Sequence, residues 1–195
     1  LGGERCTREE FKAIGKTGLE GPELVEACRI LAKKYPDVFR QATFVTGIRS
    51  ETKESLALLG EYARKANLDF AAFHPLTPFP GTPLWDQANA EHWIEEYDFS
   101  KYDMFTPIMP SETLSRAEIA HYTSKLYQDF VLKRPFQYVQ GLLSPFSIRR
   151  RLHWWFLFSI SRVVLKDLTL ALRGEKAFEG FAATTKLWEP EWYNT

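Results

Sequence analysis

Three short stretches hold the residues that could do chemistry. "LGGE" closes on Glu4, "TGIRSET" carries Gly47 to Thr52, and "FHPLTPFPGT" spans Phe73 to Thr82. A carboxylate at a strand end, such as Glu4, can accept two hydroxyl hydrogen bonds, as a ribose diol requires. A solvated turn residue would read the same way. Gly47 lets the backbone approach a flat ligand closely, and Ser50, Glu51 and Thr52 favour a helix start. That stretch is therefore either a ligand loop or a plain helix cap. His74 precedes Pro75, which holds it extended. It could act as an acid, a base or a metal ligand, or be merely hydrogen-bonded. There is no second histidine or carboxylate at ligand spacing, no CxxC, no glycine-rich phosphate loop and no nucleophile elbow. No residue is therefore assigned a catalytic or metal-ligating role.

The elements that must position these residues alternate. Thr7-Arg8-Glu9-Glu10 fits a capping box and predicts a short helix to about Lys16, broken by Gly18 and Gly21. "PELVEACRILAKKY" carries Leu24, Ala27, Cys28 and Leu31 at helical spacing. "FRQATFVTGI" is rich in β-branched and aromatic residues and reads as a strand. "SETKESLALLGEYARKAN" is the next helix, with Leu56, Leu59 and Ala63 inward, and "LDFAAFHP" is a short buried strand. Strands separated by helices at this spacing imply a parallel sheet with right-handed crossovers. In such sheets ligands sit at the carboxyl ends of the strands, where all three stretches fall.

After the proline-rich stretch the texture changes. Residues 82–103 are acidic and aromatic and read as short helices and turns. Ser115-Arg116-Ala117-Glu118 is a second capping box, opening a helix to about Lys133 that Pro135 stops. A long last helix runs from about Ser147 to Arg173, with Leu157, Ile160, Val164, Leu168 and Ala171 as its apolar stripe. The chain thus divides into an α/β part, residues 1–90, and a helical extension, residues 91–195.

Bulk properties exclude some functions. The 195 residues carry 25 basic and 25 acidic groups, and that balance gives no reason to expect a nucleic-acid partner. A hydrophobic content of 45% is enough for a core. Two cysteines, Cys6 and Cys28, make no disulfide framework, which points to a reducing, cytoplasmic compartment. They lie on different elements and make no cluster-binding motif, and Cys28 reads as core. No signal peptide is visible, and the chain does not begin with Met.

Three motifs in order carry a resemblance. They are "GGE" with "GKTG", then "GIRSET", then "PFPGTPLW". Together they resemble the C-terminal half of a radical S-adenosylmethionine (SAM) barrel. The match is narrower to the class with an N-terminal cobalamin-binding domain, which includes enzymes similar to the anaerobic magnesium-protoporphyrin monomethyl ester cyclase. The likeness covers roughly residues 1–90. It implies an α/β fold, half of a TIM-type (β/α) barrel, followed by an all-helical extension. It implies that Glu4 takes the SAM ribose, that Gly47 and Ile48 lie near the adenine or methionine end, and that Phe73, His74 and Pro75 line the adenine side. Arg49-Ser50 departs from the Pro-Gly usual in the family. The cofactors implied are SAM, a 4Fe–4S cluster and, for the class, cobalamin. The cluster's Cys-x3-Cys-x2-Cys motif is not in this chain. That leads to the expectation of a truncated product or incomplete sequence, inactive by itself, whose counterpart is a missing N-terminal half or a separate subunit. The substrate expected is large and apolar, a tetrapyrrole or lipid, altered by hydrogen abstraction or radical methylation. The alternative is a non-catalytic binding or partner module derived from such a barrel.

The stiff, apolar loop Phe73–Trp85 suits a pocket wall that loses little entropy on closing, or a rigid connector. In residues 147–173, "SIRRRLHWWFLFSISRVVLKDLTLALR" begins with arginines followed by tryptophans. This composition suits a helix packed on the barrel or one in peripheral contact with a membrane. Arg162, Lys166 and Asp167 interrupt it too often for a spanning helix.

Overall fold

The computed structural model describes residues 1–16 and 22–173. Thr7 opens the first helix as expected: its side chain accepts the Glu10 N–H, and Glu10 reaches back to the Thr7 N–H. This helix, α1 (Arg8–Ala13), follows the short strand β1 (Gly2–Glu4). It stops three residues before Lys16 because Gly15 turns left-handed. Then come α2 (Pro22–Lys34), β2 (Gln41–Thr46), α3 (Lys53–Lys65) and β3 (Phe70–Pro75). The three strands form one parallel sheet in the order β1-β2-β3, with Gln41 opposite Phe70 and Thr46 opposite Pro75. The expected α/β alternation is borne out as an open three-stranded sheet.

Period-two patterning decides which face is covered. Ala42, Phe44, Ala71 and Phe73 are buried against Leu24 and Cys28 of α2 and Leu56, Leu59 and Ala63 of α3. The other face of β2 carries Gln41 and Thr43, both exposed, and the half-buried Val45. His74 of β3, also half-buried, shares that face.

After β3 comes α4 (Pro83–Ala90), capped by Thr82, and the helical extension then opens with a 3-10 turn at Phe99–Lys101. Helix α5 (Arg116–Leu132) opens on the expected Ser115–Glu118 capping box and packs on β3 and α3. Its Ile119, Leu126 and Phe130 complete the main core. The Tyr127 hydroxyl does more than fill space. It accepts the Phe73 N–H at 2.8 Å and donates to the Phe73 carbonyl at 2.9 Å. Two residues on, Pro75 has no N–H to offer, which suits an edge strand. The β3 edge is thus closed by α5, and the sheet can be extended only beyond β1.

As expected, α5 ends just before Pro135, and the proline also starts a helix that was not expected. It occupies the first turn of α6 (Pro135–Leu142), where a missing N–H costs nothing. The last helix, α7 (Ser147–Leu172), matches its expected span. Its covered side is turned from the one expected: His153 is buried, Arg149, Phe156 and Ile160 are partly covered, and Leu157 is exposed. Side chains at 164, 168 and 171 lie outside the described residues, as does the chain after 173.

Candidate functional site

The strand ends converge around one buried ion cluster. Arg5, directly after β1, is fully buried. It grips Glu51 from the β2–α3 loop through both terminal nitrogens, at 2.7 and 2.9 Å. It also pairs with Glu10 of α1 and donates to the Val45 carbonyl at 2.9 Å. Burial alone would lower the Arg5 pKa, but the two carboxylates raise it. Glu10 is likewise opposed by burial, yet Arg5 holds its carboxyl below the ordinary range. Glu51 also accepts the Gly47 N–H at 3.0 Å and is bonded by Ser55 Oγ. Its carbonyl takes hydroxyl bonds from Ser111 and Thr113. So Glu51 does not serve the helix start, which Thr52 caps; it locks the β2–α3 loop to β1 and to the extension.

This lock fixes Gly47. Its φ is +69°, the left-handed region, and a Cβ there would lie 3.2 Å from the Ile119 side chain. Ile48 is buried beside it. Glu4 is half-buried and paired with Lys16, which sits just after α1. At the third strand end, the Phe73 ring points into the core, stacked on Phe44 at 5.2 Å. What Phe73 leaves at the strand end is backbone whose N–H and carbonyl are already bonded to Tyr127. His74 lies under the loop 103–106: Nδ1 is 3.3 Å from the Met104 carbonyl, and the ring meets Phe105 edge-on. Met104 takes a φ of +61°, and Asp103 holds the following turn by accepting the Phe105 and Thr106 N–H groups. Pro75 is buried, and the ladder continues past it, with the Leu76 N–H donating to Thr46. The proline-rich loop then ends against an aromatic cluster in which Trp85 meets Tyr97, Phe99 and Tyr102.

Glu4, Gly47 and His74 thus stand at the same end of one sheet, as sequence reasoning placed them. The Arg5–Glu51–Glu10 cluster was missed, since its key partners are 46 positions apart and no local spacing announces them. Lys16 could have been found only by asking what balances Glu4. The cysteines do not suit an iron–sulfur cluster. Cys28 is buried in the core, and burial together with the Glu10 carboxylate pushes the Cys6 thiol up to about 12. Among the described residues no group of His, Cys, Asp or Glu is placed to hold a metal.

Comparison with known proteins finds relatives over about half of the chain. Homologues at 30–35% identity, over about half of the chain, are anaerobic magnesium-protoporphyrin IX monomethyl ester cyclases. The enzyme of Cereibacter sphaeroides is 35% identical over 109 residues, 56% of this chain and 17% of its own length. That of Rubrivivax gelatinosus is 30% identical over 99 residues, 51% of this chain and 18% of its own. An uncharacterised methyltransferase of Pyrococcus horikoshii is 29% identical over 133 residues, 68% of this chain and 28% of its own. No family model matches. The resemblance read from the three motifs is borne out by these relatives, of whose length the chain spans less than a third.

Proposed function

We propose that the chain is the C-terminal portion of a cobalamin-class radical SAM enzyme, and that its strand ends form part of the SAM site. The substrate would be a large, mostly apolar molecule, a tetrapyrrole or lipid, changed by hydrogen abstraction or radical methylation in the cytoplasm. One observation supports this reading above the rest. A parallel sheet is ordinarily covered on both faces, yet on one face here Gln41 and Thr43 are exposed and Val45 and His74 only half-buried, helix contact with that face being seen at its amino end, where Phe70 meets Phe156 of α7. The β3 edge is closed by Tyr127 while the β1 edge is free for more strands. That is what the last part of a half-barrel requires, its bare face becoming the lumen.

In this reading Glu4 accepts the ribose hydroxyls, with Lys16 limiting its motion. Gly47 and Ile48 bring backbone close to the adenine or methionine end. His74 and the backbone of Phe73 and Pro75 form the adenine wall. The 4Fe–4S cluster, held by cysteines outside this chain, supplies the electron for SAM cleavage, and cobalamin would sit on a separate domain.

Sequencing the nucleic acid upstream of the Leu1 codon tests this first. An in-frame extension carrying Cys-x3-Cys-x2-Cys is expected. A start codon immediately upstream would sink the enzyme reading and leave the alternative, a non-catalytic module docking on a cluster-bearing subunit. Mixing the chain with such a subunit would then measure whether 5′-deoxyadenosine forms.

A membrane contact is favoured by α7. Its outer side exposes Ile148, Trp154, Trp155, Phe158 and Leu165, interleaved with Arg151 and Arg162. Aromatic residues with arginines suit an interfacial helix on anionic lipid. No helix among the described residues is long and apolar enough to cross a membrane. Flotation with phosphatidylglycerol vesicles should carry the chain upward, and Trp155→Glu should abolish this. Equal flotation of both would exclude the contact.

A further inference from the structure

The amino-terminal end of the same sheet holds a second charged cluster, far along the strands from Glu4 and Gly47. Arg40 precedes β2, Asp69 precedes β3, Arg134 joins α5 to α6, and Arg149 and His153 come from α7. They surround a cavity of about 170 Å³. One carboxylate has to serve all these cations. Asp69 accepts the Arg40 N–H at 2.8 Å and both Arg149 Nε and a terminal nitrogen, at 3.2 and 2.7 Å. His153 Nε2 is 3.5 Å away and the Arg40 side chain 3.6 Å. Among the described residues Arg134 meets no carboxylate: it donates to the Leu68 carbonyl and lies over the Phe130 ring at 4.3 Å.

Three guanidiniums against one carboxylate leave buried positive charge. Arg40 is 3% exposed and Arg134 7%. Burial pushes both of their pKa values down, and Asp69 does not make up the difference. The hydrogen-bond inventory points the same way. Arg40 Nη1, Arg134 Nε, Tyr138 Oη and Gln137 Oε1 are buried without a partner, and all four residues line this cavity. Three of these four atoms can donate a hydrogen bond. Native proteins rarely leave such groups empty-handed.

We propose that this cavity binds a tetrahedral oxyanion, the phosphate group of inorganic phosphate or of a phosphate monoester. Its charge offsets the surplus guanidinium, and its oxygens take N–H from Arg40 and Arg134 and O–H from Tyr138. Arginine forks match this geometry better than any other side chain. At about 30 Å³ per water molecule, the space holds a handful of waters, hence one four-oxygen anion. Water alone would satisfy the donors but leave the charge.

The test is titration of the full chain with sodium phosphate against sodium chloride at matched ionic strength. Heat of binding and the thermal midpoint are followed. Phosphate should bind saturably and raise the midpoint, with chloride doing neither. Arg40→Gln and Arg134→Gln should each weaken binding roughly tenfold or more, since charge-assisted bonds are lost. Tyr138→Phe removes a single hydroxyl and preserves shape. It keeps the question open to measurement should the arginine variants not fold, and a several-fold loss is expected. Phenyl phosphate in a parallel arm separates the two sources. Tighter binding than phosphate assigns a monoester, and weaker binding assigns the free ion. Responses to phosphate and chloride that do not differ, or undiminished affinity in Tyr138→Phe, would overturn the site.

Discussion

The two ends of the sheet solve the same problem in opposite ways. Both bury arginine. At the carboxyl end, one guanidinium, Arg5, meets two carboxylates, Glu10 and Glu51, and its charge is secured. At the amino end, Arg40 and Arg149 share Asp69 while Arg134 meets no carboxylate among the described residues, and burial weakens Arg40 and Arg134 as cations. The first cluster is balanced in charge within the chain, although Arg5 Nε is buried without a partner, and behaves as scaffold. The second is short of an anion and behaves as a receptor. The lesson is that burial of charge is not itself the signal of a site; imbalance is.

That contrast can be broken most forcefully at its balanced end. Glu51→Ala strips Arg5 of its bidentate partner and frees the Gly47 loop, and should cost about 3–5 kcal/mol in urea unfolding. Arg134→Met, at the unbalanced end, should change stability by less than about 1 kcal/mol in phosphate-free buffer, because the charge it removes is uncompensated. Equal losses from the two substitutions would erase the distinction.

Acid sharpens it further. Burial would raise the Asp69 pKa, but His153, the Arg40 N–H and Arg149 hold it at about 2. A depressed carboxyl contributes stability that is whole above its unfolded value near 4 and lost as pH falls through 2. Unfolding free energy should therefore drop by about 2 kcal/mol between pH 4 and 2, and Asp69→Asn should flatten that part of the profile.

Smaller effects probe the strand ends. Gly47→Ala puts a side chain at positive φ and against Ile119, and should cost about 1–2 kcal/mol. Tyr127→Phe removes both bonds that close the β3 edge, and a loss of about 1 kcal/mol with faster amide exchange at Phe73 is expected. Lys16→Ala should move stability by less than about 0.5 kcal/mol, since its pair with Glu4 is partly exposed.

Much of the frame was legible beforehand because its causes are local. The Thr7–Glu10 and Ser115–Glu118 boxes satisfy backbone N–H groups three residues away, so the letters alone announce them. The alternation of Ala42, Phe44, Ala71 and Phe73 marks the covered face in the same way, and Cys28 is core as read. The end of α1 falls three residues earlier than expected because Gly15 already adopts the left-handed turn. Pro135 ends α5 as read, but the helix α6 that it opens was missed, because proline both ends and begins helices.

What the chain of letters determined, then, was the order of the elements, the caps and the three strand ends where Glu4, Gly47 and His74 stand. Only the tertiary structure could decide the rest. Arg5 finds Glu51 across 46 positions, and Tyr127 finds the Phe73 backbone across 54. Arg149 reaches Asp69 across 80. Such partners are selected by the cost of leaving a buried charge or backbone group unpaired. That cost exists only once the helices have closed over the sheet.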